Sequence, residues 1–328
     1  MSNATVSRLG LVDNTGTDFD ALFLKVFSGE VLTAFTRNNI FNEQLHSVRT
    51  ITSGKSAQFP VLGTATASFH TPGNLLTGGN QIRHGERVIS IDDLLIADVF
   101  VSRLEELKNH YDIRASYADE LGKALAKTYD ENVAKMIAQA SRASSTLTGI
   151  AGGLTLTLAS GNTASSDVTG DEIAAAIYDI AQTFDERDIP PTDRFCVLPP
   201  AEYYKLAESA TRTVNVDFNP GGGNGSFASG NVQQIAGIPI LKSNNVPQSN
   251  RSAASGENNA YNGDDSKTIG LVFHKSAVGT VKLMDMTTEI TGNDYSTMYQ
   301  GTLMVAKYAL GHGILRPEAA ATIKLSAS

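Results

Sequence analysis

The chain has 328 residues, 41% of them apolar, which is enough to bury the core of one large domain or two. A formal net charge of −8 and a pI near 5.3 argue against a dedicated nucleic-acid binder, which would carry a basic face. The single cysteine, Cys196, excludes an intramolecular disulfide or a cysteine metal cluster, and it sits in an apolar run that reads as a buried strand.

The first residues lack the basic-then-apolar pattern of a secretory signal, and no apolar run approaches the ~18 residues of a membrane span. We therefore expect a chain made in a reducing compartment, with no membrane contact. The 29 glycines point to extended strands and long excursions rather than a compact pocket.

Residues 1–16 are small and polar and read as a tail. Acids at Asp18 and Asp20 open a helix that continues through the strongly apolar stretch 21–35. Leu22, Val26, Phe27, Val31, Leu32 and Phe35 lie near one face of it, while Phe23 and Leu24 fall off that face. A helix apolar on more than one side needs something to pack on, either its own domain or a neighbouring subunit.

Residues 56–63 and 87–101 are β-prone and flank a polar, glycine-rich tip at 70–80, which predicts a long hairpin. An isolated two-stranded ribbon is only marginally stable in water, so this one wants an external partner. Gly54-Lys55-Ser56 has the end of a phosphate-binding loop. Arg49 stands where that motif needs its first glycine, and no helix follows, so a nucleotide site is rejected.

Residues 102–142 predict one long amphipathic helix. Ser102 and Glu105 have capping-box spacing. Leu104, Leu107, Tyr111, Ala115, Ala118, Leu121, Leu125, Tyr129, Val133, Met136 and Ala140 recur at helical period. Asp119 with Lys123, and Glu131 with Lys135, place paired charges on an exposed face. The weak helix formers at 109–112 predict a break. The part beyond that break would span about 45 Å at ~1.5 Å per residue.

A soft stretch at 143–166 follows. Thr169 and Glu172 then open a second helix, which runs to about Arg187 and ends before Pro190-Pro191. A strand at 195–198, a helix at 200–210 and a strand at 238–241 make an α/β subdomain, with polar loops at 219–230 and 248–267. Strands are expected at 268–274, 280–290 and 300–310, with a last one at 319–325 returning to an existing sheet.

The search for chemistry comes back empty. The six histidines show no ligand spacing, and no nucleophile elbow occurs. Asp92-Asp93 interrupts an apolar strand and marks a bulge, whereas Asp264-Asp265 lies in a polar loop. We expect no catalytic, cofactor-binding or metal-binding residues and no enzyme activity. Extended, partner-seeking elements without a site point toward assembly.

Five stretches, 21–35, 53–63, 109–114, 274–285 and 307–320, together and in order resemble the major capsid proteins of T7-like short-tailed phages. The middle of the chain, about 143–266, does not contribute to the match. The resemblance implies an α+β chain with the HK97-like capsid fold. It implies an N-terminal arm at 1–48, an extended β-hairpin loop at 49–101 and the spine helix of a peripheral domain at 102–148. An α/β axial domain at 149–272, peripheral-domain strands at 273–316 and a C-terminal strand at 317–328 would complete it.

The implied function is a major capsid protein that self-assembles into hexamers and pentamers of an icosahedral head around double-stranded DNA. The implied partners are its own copies, a scaffolding protein, a portal protein and non-specifically contacted DNA. Assembly would take place in the host cytoplasm and the product would be the virion. Candidate contacts between subunits are Leu22, Val26, Phe27 and Phe35 of the arm, with Phe69, His70, Pro72 and Arg83 of the hairpin. An encapsulin-like cargo-compartment shell is the alternative.

Overall fold

In chain order the elements are β1 (Ser47–Thr50), β2 (Ser56–Leu62), β3 (His84–Ser90), β4 (Leu95–Ser102), α1 (Arg114–Ala140) and β5 (Leu154–Thr157). They continue with α2 (Gly170–Glu186), β6 (Arg194–Leu198), α3 (Pro200–Glu208), β7 (Gly225–Ser226), β8 (Asn231–Val232), β9 (Gln234–Ile235) and β10 (Ile238–Lys242). The last are β11 (Asn250–Arg251), β12 (Gly263–Asp264), β13 (Thr268–His274), β14 (Val278–Ile290), β15 (Gly301–Ile314) and β16 (Ala320–Lys324). This computed structural model describes residues 40–63, 65, 67, 69–75, 82–104, 114–147, 149–159, 164–208, 225–226, 231–232, 234–252, 261–290 and 297–326. The expected arm helix, the break at 109–112 and Glu105 of the first capping box lie outside the described residues.

The chain divides into two units. The first contains Met1–Asn42, Asp92–Asp130 and Lys282–Leu310. Its sheet pairs β15 with β4 antiparallel, Thr302 opposite Val101 and Tyr308 opposite Leu95. Val101 and Met304 are buried with Val99 and Tyr117 against them. Tyr308 donates its hydroxyl hydrogen to the carbonyl of Leu125 at 3.3 Å. Asp130, fully buried, accepts from the backbone nitrogens of Ile40 at 2.9 Å and Phe41 at 3.1 Å. A carboxylate can stay in a dry interior when its lone pairs are met in this way.

The second unit contains Glu43–Ile91, Glu131–Val281 and Gly311–Ser328. Its centre is a six-stranded sheet of order β5-β16-β13-β6-β10-β9. β16 and β5 are parallel, as are β10 and β6, while β13 runs antiparallel to both β16 and β6. β13 lies inside the sheet and is buried from Thr268 to Phe273, which explains its unbroken apolar run. The returning strand expected at 319–325 is β16, paired with β13 and β5.

α2 begins as its sequence predicts. The Thr169 side chain accepts from the Glu172 nitrogen at 3.4 Å, and the Glu172 carboxylate accepts from the Thr169 nitrogen at 2.8 Å. Ile173, Ile177, Ile180 and Phe184 recur at helical spacing and are fully buried.

From Ala118 on, α1 carries the expected stripe, with Ala118, Leu121, Leu125, Tyr129, Val133, Met136 and Ala140 all buried, whereas Leu104, expected on the same stripe, precedes α1 and is 63% exposed. Its 27 residues measure about 40 Å at ~1.5 Å per residue. The Asp119–Lys123 ion pair forms on an exposed face. The exposed face expected around Glu131 and Lys135 is not there. Lys135 is buried, donates to Asn132 at 2.9 Å and sits 5.9 Å from the centre of the Tyr261 ring. From Asn132 to Ala138 every side chain of the helix is buried, because this part of α1 is covered on all sides.

Two more expectations are corrected. The run 87–101 is two strands, not one: β3 pairs with β2, and β4 pairs with β15. Asp92-Asp93 lies in the gap between them rather than in a bulge. The stretch 248–267 is not simply a polar loop either, because it contains the β11–β12 ladder and Asp265, which is 2% exposed.

Candidate assembly surfaces

The hairpin is built from β2 and β3, in register from Ser56 opposite Ser90 to Leu62 opposite His84. The ladder extends one step further, where the Gly63 nitrogen donates to the Arg83 carbonyl at 2.8 Å. Alternation along the strands sends Ala57 and Ile89 to the buried side, where they meet Val281 with Ile51, Phe59, Ile91 and Leu315 packed around them. Arg49 braces the stem, donating to the Gln58 carbonyl at 3.1 Å with its guanidinium 5.6 Å from the Phe59 ring centre.

The tip is different. Phe69 is fully exposed and Leu75 is 86% exposed. His70, Pro72 and Arg83 are exposed as well, so the four hairpin residues singled out in the sequence all sit on its distal part in water. Leu22, Val26, Phe27 and Phe35 lie outside the described residues. Leu62, Ile82 and Val88, each at least half exposed, extend the apolar surface along the ribbon and were missed in the sequence. Period-two alternation was the available signal: it puts Leu62 and Val88 on the outward face, among the polar Ser56, Gln58, His84 and Glu86.

Residues that might have carried chemistry have structural roles. Lys55 and Ser56 lead into a strand, not a helix, so no phosphate cradle forms. Cys196 is fully buried and its thiol is pushed up to about 12 by desolvation. His46 and His312 are buried, and the His312 Nδ1 pairs with the Thr280 hydroxyl at 2.8 Å. His274 pairs with the Ser276 hydroxyl at 2.8 Å. Asp265 pairs with Arg142. Among the described residues no group of three His, Cys, Asp or Glu is placed to hold a metal ion. No described helix is long and apolar enough to cross a membrane.

A braced ribbon that holds Phe69 and Leu75 in water is suited to binding other chains. The family profile described as "Gp10A-like: Major capsid protein" matches residues 58–324. The chain belongs to the Gp10A-like major capsid protein family. This capsid subunit is 36% identical over 320 residues to the major capsid protein of Escherichia phage T7, covering 92% of this chain and 91% of that one. It is 36% identical over 322 residues to the major capsid protein of Enterobacteria phage T3, covering 93% and 92%.

The capsid structure of cyanophage P-SCSP1u superposes with a TM-score of 0.81 at 49% identity, covering all of both chains. The mature capsid of bacteriophage PhiM1 has a TM-score of 0.73 at 21% identity, covering 99% of this chain and all of that one. The fold is therefore the HK97-like capsid fold, α+β as expected. Its relatives are structural proteins of phage heads, which sets aside the cargo-compartment alternative and places the capsid subunit in the virion as a homo-oligomer.

Proposed function

We propose that the subunit self-assembles into hexamers and pentamers of an icosahedral head, with the hairpin tip of each copy docking on the next. The observation that carries this reading is the fully exposed Phe69 at the end of a two-stranded ribbon. A ribbon with large apolar groups in water gains most by burying them against another molecule. In a shell that molecule is a further copy of the chain, and many modest contacts add through symmetry.

The arm at 1–48 supplies the second contact, through Leu22, Val26, Phe27 and Phe35. The hairpin loop at 49–101 supplies the first, through Phe69, His70, Pro72 and Arg83. The helix at 102–148 is the spine of the peripheral domain, which the strands at 273–316 complete. The α/β region at 149–272 is the axial domain at the local symmetry axes, joined by the C-terminal strand at 317–328. A scaffolding protein and a portal act during assembly in the host cytoplasm. The acidic balance of the chain suits an inner wall that contacts packaged double-stranded DNA without sequence preference. The subunit has no catalytic role.

The test is to assemble Phe69→Asp and Arg83→Glu subunits and to image the products by electron microscopy. Both side chains are exposed, so the fold should survive. Capsomers or open sheets in place of closed shells are expected. Normal yields of closed shells from both variants would overturn the role given to the tip.

A further inference from the structure

Three cations of the second unit, Arg142, Arg251 and Lys324, face one buried carboxylate, that of Asp265. Asp265 follows β12, where its nitrogen donates to the Ser249 carbonyl at 3.3 Å. Arg142, just past the end of α1, pairs with the carboxylate. It also donates to the Asp264 carbonyl at 2.7 Å and, from Nε, to the Ala138 carbonyl at 3.1 Å. β12 can lie this close to the helix end because Gly263 has no side chain; a Cβ there would collide with Gln139. Arg142 is thus fully engaged.

The other two cations are not. Arg251 holds its Nη2 3.9 Å from the second oxygen of Asp265, and its Nε and Nη2 are buried without a hydrogen bond among the described residues. Those two nitrogens form the guanidinium edge that grips a carboxylate or a phosphate with parallel bonds. Lys324 stands half-buried on β16, opposite Thr268. Its ammonium has no hydrogen bond or ion pair among the described residues. Burial and the Arg142 guanidinium lower its pKa, and Asp265 and Asp264 oppose them only in part. Asp264 attracts Lys324 from a distance, because its exposed carboxylate accepts from the Ser266 nitrogen at 3.0 Å and the Ser266 hydroxyl at 2.6 Å. The buried Thr268 hydroxyl also lacks a hydrogen bond among the described residues.

Half-buried cations without a counter-charge and buried donors without an acceptor are both costly. In a chain of net charge −8, these residues make a local excess of positive charge. We propose that Lys324 and Arg251 form a site for a phosphate group. Lys324 supplies the charge and Arg251 the paired donors. The Arg251 edge is covered, so binding includes a turn of that side chain toward Lys324. Arg142 keeps Asp265 paired meanwhile, so Arg251 can turn without stranding a buried carboxylate. The bound oxyanion also relieves the repulsion between Lys324 and Arg142. The phosphate group is a free ion or part of a nucleic-acid backbone, and only the second source rests on the proposed contact with packaged DNA.

The test uses the unassembled full-length subunit. Calorimetric titration with inorganic phosphate, and fluorescence anisotropy with a short labelled DNA duplex, separate the two sources. Lys324→Gln and Arg251→Gln are each expected to weaken binding by roughly tenfold. Asp265→Asn, which removes the competing charge but keeps an acceptor for Arg142, is expected to tighten it, an effect that general loss of folding would not produce. If the duplex binds and inorganic phosphate does not, the source is nucleic acid, and Lys324→Gln should reduce the salt slope by about one. No binding of either probe, or parental affinity in both glutamine variants, would overturn the proposal. Shell formation by the same variants is scored separately by electron microscopy, so a failure of this site is read apart from a failure of the assembly role.

Discussion

Ile89 lies so close to Gly313 that a Cβ on the glycine would come within 2.5 Å of the Ile89 Cγ1. The glycine is the reason the hairpin base can sink into the second unit, since Ile89 is 1% exposed there. Gly313→Ala must therefore move Ile89 or the β15 backbone. Overpacking of this kind costs roughly 1–3 kcal/mol. Urea unfolding of the unassembled subunit would measure it, and an unchanged midpoint would show that the base is looser than described.

His312 makes stability fall in acid. Its pKa lies well below the ordinary value, first through burial and then through nearby His46 and Lys135. The unfolded chain takes up a proton near pH ~6.5 while the folded chain does not. The stabilisation is thus complete above about pH 6.5 and drains away below it, by up to ~1.4 kcal/mol per pH unit, until the folded pKa is reached. His312→Gln cannot take the proton. Its midpoint should fall less than that of the parent between about pH 7 and pH 5. Parallel pH profiles would contradict this.

The two results above rest on residues that differ in how far a sequence reading reaches them. The α1 stripe from Ala118 to Ala140 was legible because helical period is written in neighbouring residues. The α2 capping box was legible for the same reason, its partners being three residues apart. The buried polar groups of α1 were not. Asp130 is satisfied by backbone nitrogens 89 and 90 residues away. Lys135 finds the Tyr261 ring far along the chain. β-Propensity in 87–101 marked strand but could not show a change of partner between β3 and β4. At the hairpin, the exposure of Phe69 and Arg83 follows from their place by a glycine-rich tip, whereas that of Leu62 and Val88 depends on which face of the ribbon is covered, which is set by residues distant in the chain.

Arg142 and Asp265 form an asymmetric pair. Arg142 is 26% exposed and also donates to the Asp264 carbonyl at 2.7 Å, whereas Asp265 is 2% exposed. Burial raises the Asp265 pKa, with Arg142 and Arg251 opposing the rise. Removing Arg142 leaves the buried carboxylate to the more distant Arg251 guanidinium, 3.9 Å away, while removing the anion leaves on Arg142 a guanidinium that water can reach. Arg142→Leu should cost up to about 3 kcal/mol. Asp265→Asn, which keeps an acceptor, should cost clearly less. Equal losses in calorimetry would show that both charges are hydrated.

Cys196 should be silent in the native subunit. The thiol is buried and its pKa is raised to about 12, so almost no thiolate exists at neutral pH. An aromatic disulfide reagent is expected to react only as fast as the chain unfolds, and at full stoichiometry in denaturant. Rapid modification of folded subunits would place this strand at the surface and break the order of the six-stranded sheet.

The central claim is that this subunit closes shells through its hairpin tip. Cryo-electron microscopy of shells assembled from the unaltered full-length chain tests it most directly. The account predicts closed icosahedral particles in which the Phe69 ring is buried against a second copy. Closed particles with Phe69 still surrounded by solvent, or no closed particles under any assembly condition, would contradict it.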